Sequence, residues 1–113
     1  MPYINTTVNV RIPQDVEKEL ATEYGKAITL IRGKTENWLM LNFTEKSHMY
    51  FAGSDAPTAM VEVQIFGSAS SGEYDALTER ICSVISEKLS IPQNRVYVKY
   101  EEYDRWGWNG GNF

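Results

Sequence analysis

The sequence has very little of the residue chemistry on which redox and metal sites depend. Cys82 is the only cysteine and His48 the only histidine among 113 residues. A single cysteine excludes an internal disulfide and a CxxC redox pair, and we expect Cys82 to be packed within a helix rather than to be a reactive thiol. A zinc site would need carboxylates to complete its ligands, so we predict no metal.

Long apolar segments and clusters of positive charge are also missing. No run approaches the roughly 18 apolar residues of a membrane span, and the first residues lack the basic and apolar regions of a secretory signal. The 11 Lys and Arg are outnumbered by 15 Asp and Glu, which gives a net charge of -4. This balance argues against nucleic acid and against a membrane surface as partners. We expect a cytoplasmic protein, unless it is secreted by a non-classical route, with small molecules or proteins as its partners.

What is present is the composition of an ordinary globular domain. Hydrophobic residues make up 42% of the chain and charged residues 23%, and a chain of this length is sufficient for one hydrophobic core but not for two. We therefore treat residues 1–113 as a single domain.

The apolar residues alternate between the period of a strand and that of a helix, in the order strand, helix, strand, twice over. Strands are predicted at residues 2–10, 38–45 and 95–103, and helices at 14–33, with Gly33 as the C-terminal stop, and at 72–90. Between them, MYFAGSDAPTAMVEVQIF predicts a short strand, a turn at Gly53-Ser54-Asp55 and a longer strand. The tail RWGWNGGNF has the pattern of neither a helix nor an ordinary strand. Its aromatic residues either fix the tail to its own domain or dock on a neighbouring subunit.

A weak internal repeat supports this order. The segment NWLMLNFTE, which starts at Asn37, lies over NRVYVKYEE, which starts at Asn94, and the same offset places residues 3–8 over 60–65. Two βαβ halves predict an α/β (α+β) fold, a four-stranded sheet with both helices on one face. Tyrosines, Met40 and Met60 project from the other face or lie near it. Because an uncovered apolar face favours association, we expect an oligomer whose sheets pack together.

Several short motifs resemble, in their order along the whole chain, the macrophage migration inhibitory factor (MIF) family of the tautomerase superfamily. They are Met1-Pro2 at the start of a strand, Gly33-Lys34 after the first helix, Phe51-Ala52-Gly53-Ser54 with Pro57, Ile91-Pro92 through Arg95-Val96-Tyr97, and Gly107-Trp108-Asn109 with Asn112-Phe113 at the end. No single one of these motifs is specific for the family, but together they make a strong resemblance. The resemblance implies a homotrimer of βαβ repeats whose three sheets line a central barrel.

Pro2 has two explanations. Proline is tolerated as the first residue of a strand, and its position alone favours this structural explanation. However, Met1 before a proline is commonly removed, and Pro2 would then carry a free secondary amine. The resemblance implies this second role, in which the N-terminal proline is the acid/base catalyst of keto–enol tautomerisation of substrates such as phenylpyruvate and dopachrome. Partial burial and a nearby cation would lower its pKa from the about 7.7 to 8.0 of a free α-amine.

The resemblance also implies a substrate pocket. Lys34 corresponds to the cation that lowers the pKa of Pro2 and holds a substrate carboxylate. Phe66 matches a position whose backbone N–H meets the substrate, although the family often has a smaller aliphatic residue there. Tyr97 matches a tyrosine contributed by the adjacent subunit, and a core position is its alternative. Lys99 replaces the asparagine of the best-known members, and a second cation there favours anionic substrates, including dicarboxylates.

Three tryptophans, Trp38, Trp106 and Trp108, are candidates for an aromatic rim around a phenyl-bearing ligand, with ordinary packing as the alternative for each. Thr58-Ala59-Met60-Val61 stands where some members have CxxC, so we predict no thiol–disulfide oxidoreductase activity. Proton transfer of the implied kind needs no cofactor, and none is predicted. The functional alternatives are a keto–enol tautomerase, a secreted cytokine-like ligand of a protein receptor, and a trimeric binding scaffold without useful turnover.

Overall fold

A computed structural model describes all residues, Met1–Phe113, and contains one four-stranded sheet with both long helices on one face. The strands are β1 (Pro2–Val8), β2 (Met40–Thr44), β3 (Ala59–Phe66) and β4 (Val96–Tyr103), and the helices are α1 (Gln14–Ala27) and α2 (Ser71–Leu89). The order across the sheet is β2-β1-β3-β4. At its centre β1 and β3 are antiparallel, and each is parallel to its own edge strand. The predicted pair of βαβ halves is confirmed.

One hydrophobic core lies between the sheet and the two helices. Alternate residues of the central strands are buried and their neighbours are not, because successive side chains of a strand point to opposite faces. The helices contribute side chains spaced three or four residues apart. The largest fully buried side chains are Tyr24, Ile4, Leu20, Ile28, Ile31, Ile65, Leu77, Ile81, Ile85, Ile91, Val8 and Val61.

The predicted end of the first helix at residue 33 is wrong. Helix α1 ends at Ala27, and a 3-10 turn, Ile28–Leu30, follows it. Ile31 is then extended, with φ -93° and ψ 120°. This change of direction buries both Ile28 and Ile31, whereas Leu30 between them is only half-buried.

The segment after this turn directs Lys34 towards the sheet. The Lys34 N–H donates to the Ile31 carbonyl at 3.1 Å, and this closes a turn in which Gly33 has a φ of 81°. Glycine adopts this left-handed conformation at little cost because it has no Cβ. The neighbouring Arg32 N–H donates to the Glu73 carboxylate at 2.6 Å, which fastens the segment to the start of α2. Gly33 therefore serves this turn rather than the end of the α-helix.

Helix α2 has both ends near the predicted residues, and each end has a local explanation. At its start, the Glu73 N–H donates to the Ser70 hydroxyl at 3.1 Å, and the Ser70 N–H donates to the Glu73 carboxylate at 2.9 Å. This reciprocal capping box satisfies two of the N–H groups that a helix start leaves free. The helix ends at Leu89, and the next residue, Ser90, caps it with a left-handed φ of 56°.

Two other segments differ from the prediction. The short strand expected before residue 53 is a loop, with a single bridge between Phe51 and Ser54. Ala52 and Gly53, at its tip, have φ values of 53° and 76°, which are typical of a tight turn of the primed type.

The tail, which has no strand pattern, forms a small hairpin. Its strands are β5 (Gly107–Trp108) and β6 (Gly111–Asn112), which pair antiparallel. The connection is Asn109-Gly110, with φ values of 51° and 82°. An Asn-Gly pair is the usual sequence of a two-residue hairpin turn because both positions need a positive φ.

The sheet face opposite the helices is polar at its centre. Asn42, Asn5, Glu62 and Lys99 lie side by side across all four strands. Asn42 donates to Asn5 at 2.8 Å, Asn5 donates to Glu62 at 2.9 Å, and the Lys99 ammonium lies 3.3 Å from the Glu62 carboxylate. We call these four residues the polar row. The expectation of an apolar open face therefore holds only towards its ends, where Met40 and Tyr97 are exposed.

Cys82 lies in helix α2. Cys82 is half-buried against the core, as its predicted packing role requires, and burial raises the pKa of its thiol. No three His, Cys, Asp or Glu side chains lie close enough together to hold a metal ion. Neither long helix combines the length and the apolar character needed to span a membrane.

We predict that Tyr24→Phe destabilises the protein. The hydroxyl oxygens of Tyr24 and Thr6 are 3.0 Å apart, and both residues are fully buried. Loss of the phenol hydroxyl leaves the Thr6 hydroxyl buried without a partner, which costs about 1 to 3 kcal/mol in the free energy of unfolding. Chemical denaturation measures this cost. As a control, Tyr24→Phe combined with Thr6→Val should recover most of the stability, and an unchanged stability of the single variant would contradict the prediction.

Candidate active site

A cavity of about 560 Å³ opens at the end of the sheet where β1 begins. Its walls are formed by residues 1–3, 37–40, 64 and 106–108. These come from the N-terminus, the segment before β2, the middle of the sheet and the C-terminal hairpin. The fold thus brings together residues from both ends of the chain around the first residues.

Pro2 lies in the wall of this cavity because β1 is a central strand. It is opposite Ile65 in the pairing of β1 with β3, and it is buried. The ring nitrogen needs no partner in the sheet, since proline has no N–H to donate. The first position of β1 therefore fits the structural explanation of Pro2, and its place in the cavity wall leaves the chemical one open.

The peptide groups of Phe66 connect the N-terminus to Lys34. The Phe66 N–H donates to the Met1 carbonyl at 3.1 Å, and the Phe66 carbonyl accepts from the Lys34 ammonium at 2.8 Å. The Phe66 ring packs on Phe113, with the ring centroids 5.7 Å apart. One residue of β3 therefore places both the N-terminal segment and a cation.

The N-terminal amine is electrostatically perturbed. Its pKa is lowered from 8.0 to about 6, first by burial and then by the positive charge of Lys34 and a hydrogen bond with the Lys34 side chain. Burial and a neighbouring cation both disfavour the ammonium form. A terminal amine in this environment is mostly neutral at pH 7 and can accept a proton.

Aromatic side chains form the outer part of the cavity. Trp38, in a short 3-10 turn before β2, meets Trp108 of the hairpin edge to face, with the ring centroids 4.9 Å apart. Trp106 also lines the cavity and packs against Tyr103. Trp38 and Trp108 are 47% and 51% exposed, so about half of each large apolar side chain is accessible. The three tryptophans therefore line one cavity, and their role as a rim around a ligand stays a prediction.

Four of the predicted binding residues do not line this cavity: Lys34 and Phe66 lie beside the N-terminal segment, and Tyr97 and Lys99 lie elsewhere in the subunit. Tyr97 pairs with Met60 at the end of the sheet opposite Pro2, is 58% exposed and packs edge to face on Phe51. Lys99 belongs to the polar row, where Glu62 compensates its charge. Within a single chain, neither residue lines the cavity of Pro2.

Some lining residues were not identified in the sequence. Gln64 lies two positions before Phe66 on β3, and its amide donates to Glu101 at 3.1 Å. The period-2 pattern of β3 places it on the same face as Phe66, so this signal was available. Asn37 and Met40 flank Trp38 and Leu39 in the wall, but a sequence pattern cannot show which residues border a cavity.

The two βαβ halves with the N-terminus at the centre of the sheet define a domain of the tautomerase superfamily, and comparison with known proteins identifies the family. The family model described as macrophage migration inhibitory factor (MIF) matches residues 1–113. The macrophage migration inhibitory factor of Xenopus laevis is 26% identical over 118 residues, covering 100% of this chain and 99% of the relative. That of Mus musculus is 25% identical over 116 residues, covering 100% and 97%.

Solved structures agree. The crystal structure of Leishmania major MIF2 is 34% identical, has a TM-score of 0.94, and is matched over 100% of this chain and 97% of its own. The homologue from Prochlorococcus marinus is 29% identical with a TM-score of 0.83 and 98% coverage of both chains. The chain belongs to the macrophage migration inhibitory factor family.

We predict that the N-terminal amine of the chain that retains Met1 titrates near pH 6, well below 8.0. Lys34→Met should raise this midpoint part of the way towards 8.0, because the charge is lost while the larger effect of burial is kept. The measurement is an NMR titration of the chain labelled with ¹³C-methionine. Lys18→Met, which removes an exposed lysine from α1, is the matched control and should leave the midpoint in place. A wild-type midpoint near pH 8 would contradict the described environment of the amine.

Proposed function

We propose that this protein, once Met1 has been removed, is a keto–enol tautomerase, an isomerase that uses Pro2 as its general acid and base. The observation that supports this most directly is a terminal amine held neutral beside Lys34 at an aromatic cavity. Family membership is consistent with the same chemistry.

Removal of Met1 changes the site in two ways. The amide nitrogen of Pro2 becomes a secondary amine, which can bind a proton. In addition, the Phe66 N–H loses the Met1 carbonyl and becomes available to a substrate oxygen. Burial and the Lys34 charge, which lower the pKa of the Met1 amine, act on the new terminus as well, so we expect a neutral Pro2 nitrogen at pH 7.

The proposed reaction moves one proton within the substrate. The neutral Pro2 nitrogen takes a proton from the carbon next to the keto group, and the electron pair of that C–H bond forms the C=C bond of an enolate. The protonated Pro2 then returns the proton to the enolate oxygen, so the atoms balance without a cofactor. Lys34 would bind the substrate carboxylate and stabilise the negative charge of the intermediate.

The shape of the cavity favours substrates with an aromatic ring. Trp38, Trp106 and Trp108 provide an apolar wall a short distance from Pro2, where a phenyl ring would be removed from water. A keto acid such as phenylpyruvate has both the ring and the carboxylate that this arrangement would bind. The side chain of Phe66, which is larger than the aliphatic residue frequent in the family, is directed onto Phe113.

We also propose that the working form is a homotrimer in which Tyr97 of one subunit completes the cavity of the next. Support comes from its exposure at the end of the sheet away from its own Pro2. Lys99 has weaker support as a binding residue, because a substrate anion would have to compete with Glu62.

A signalling role is the alternative proposal. Its support is the name of the vertebrate relatives, which describes a factor that inhibits macrophage migration. Such a role would require release from the cell and a protein receptor, and it is compatible with tautomerase activity. Cytoplasmic localisation likewise stays a prediction.

Pro2→Gly should reduce kcat/KM for phenylpyruvate by about 100-fold, at the lower end of general acid–base effects because glycine keeps an amine. Intact mass must first show that Met1 is absent from both proteins, and the keto–enol conversion is then followed by ultraviolet absorbance. Pro13→Gly makes the same substitution outside the cavity and should keep the rate. Unchanged turnover of the Pro2 variant would remove the proposed mechanism.

Lys34→Ala should raise KM for carboxylate substrates by about tenfold or more, since a charge-assisted hydrogen bond is lost. The KM for the methyl ester of the same keto acid should rise much less, because the ester has no carboxylate for Lys34 to bind. Steady-state kinetics on both substrates separate the two effects, with Lys18→Ala as the matched control. An unaltered KM for the acid would reject the binding role of Lys34.

A further inference from the structure

The guanidinium group of Arg95 donates hydrogen bonds to the backbone carbonyls of one loop. Its Nε donates to the Pro57 carbonyl at 2.8 Å, its Nη1 to Phe51 at 3.1 Å, and its Nη2 to Ser54 and Ala56, each at 3.0 Å. Arg95 stands immediately before β4, whereas the four carbonyls lie in the loop between β2 and β3. A planar fork of five N–H groups can make these bonds together, which an ammonium cannot.

The same loop is fixed a second time from the other side. The Asn9 amide donates to the carbonyls of Asp55 and Ala56, both at 3.0 Å, and its oxygen accepts from the Thr58 N–H at 2.9 Å. Surface loops are usually the mobile and variable parts of a fold. Two side chains here hold one loop through seven hydrogen bonds, so the loop is fixed more firmly than most surface loops.

The loop presents an aromatic pair. The Arg95 guanidinium carbon lies 5.3 Å from the centroid of the Phe51 ring, and Phe51 meets Tyr97 edge to face at 4.9 Å. Tyr97 is 58% exposed, so its own subunit covers less than half of the residue. Aromatic pairs prefer edge-to-face or offset arrangements, so the contact with Phe51 favours one orientation of the Tyr97 ring.

We infer that Arg95 is a positioning residue: by clamping the loop it holds Phe51, and through Phe51 it holds the exposed Tyr97 in the orientation needed at the neighbouring subunit's cavity. This inference rests on the proposed tautomerase function and trimer. It assigns Arg95 no contact with substrate. Its effect on the reaction comes entirely from placing the Tyr97 hydroxyl.

The first test is kinetic and uses a double-mutant cycle on the trimmed protein. Arg95→Gln and Tyr97→Phe should each raise KM for phenylpyruvate by about tenfold, with kcat changed by less than about twofold. In the Tyr97→Phe background, Arg95→Gln should have little further effect, because the hydroxyl that it positions is already absent. Additive effects of the two substitutions would overturn the inference.

Further variants distinguish the positioning effect of Arg95 from the effect of its charge and from a failure of the variants to fold. Arg95→Lys keeps the charge but should behave like Arg95→Gln, since one ammonium cannot reach four carbonyls. Phe51→Leu leaves all four Arg95 bonds in place and should also raise KM, so it carries the test if the Arg95 variants do not fold. Arg80→Gln removes an exposed arginine of α2 and is the matched control.

A second measurement does not depend on turnover. In protein labelled with 3-fluorotyrosine, the ¹⁹F resonance of Tyr97 is identified by its absence in Tyr97→Phe. In Arg95→Gln and Phe51→Leu it should move towards the position of free fluorotyrosine as the ring loses its fixed orientation, and an unmoved resonance would overturn the inference. If Pro2→Gly keeps full activity, the proposed function fails by itself, and this measurement still decides whether Arg95 positions Tyr97.

Discussion

The antiparallel pairing of β1 with β3 at the centre of the sheet is the constraint on which the rest of this structure depends. A first strand at the edge would leave the N-terminus in solvent, whereas here it lies between β2 and β3. Pro2 is consequently opposite Ile65, and the carbonyl before it reaches the Phe66 N–H. The largest cause of the lowered pKa of the terminal amine, its burial, follows from this placement.

The positive charge of Lys34 is the second cause of the lowered pKa of the terminal amine, and Lys34 belongs to a different part of the chain, the turn after α1. The turn at Gly33 and the link from Arg32 to Glu73 bring it to the Phe66 carbonyl. A cation at this position and a neutral amine are mutually consistent, because the positive charge disfavours protonation of its neighbour. The same charge would attract a carboxylate, so one lysine can both maintain the base and bind an acidic substrate.

A single subunit divides the expected site residues between the two ends of its sheet. Pro2 and the tryptophans lie at one end, whereas Tyr97 and its supporting loop lie at the other, beyond the polar row. A site made of both groups therefore needs a second copy of the chain. The polar row also means that sheets packed around a barrel would meet through hydrogen-bonded and charged side chains in the middle. Apolar contacts would be confined to the ends.

Much of the fold was determined by the sequence itself. The alternation of β4 and the helical spacing of α2 placed both ends of these elements within one residue, and the alternation of β1 and β3 identified both as strands, because strand and helix periods directly reflect which face is buried. The end of α1 was missed, since its apolar spacing continues through Ile31 although the backbone changes direction after Ala27. The terminal hairpin was missed although Asn109-Gly110 is a strong turn signal, because its two strands are too short to show a pattern.

The candidate site shows the same division. Pro2, Lys34 and Trp108 could be named from the sequence because each belongs to a short motif that is recognisable from its order along the chain. Only the tertiary structure decided that Phe66 joins the N-terminus to Lys34, that Gln64 faces the cavity, and that Tyr97 and Lys99 lie elsewhere. Periodicity fixes the face on which a side chain lies, whereas neighbours across the sheet depend on strand order and register, which residues distant in the chain settle together.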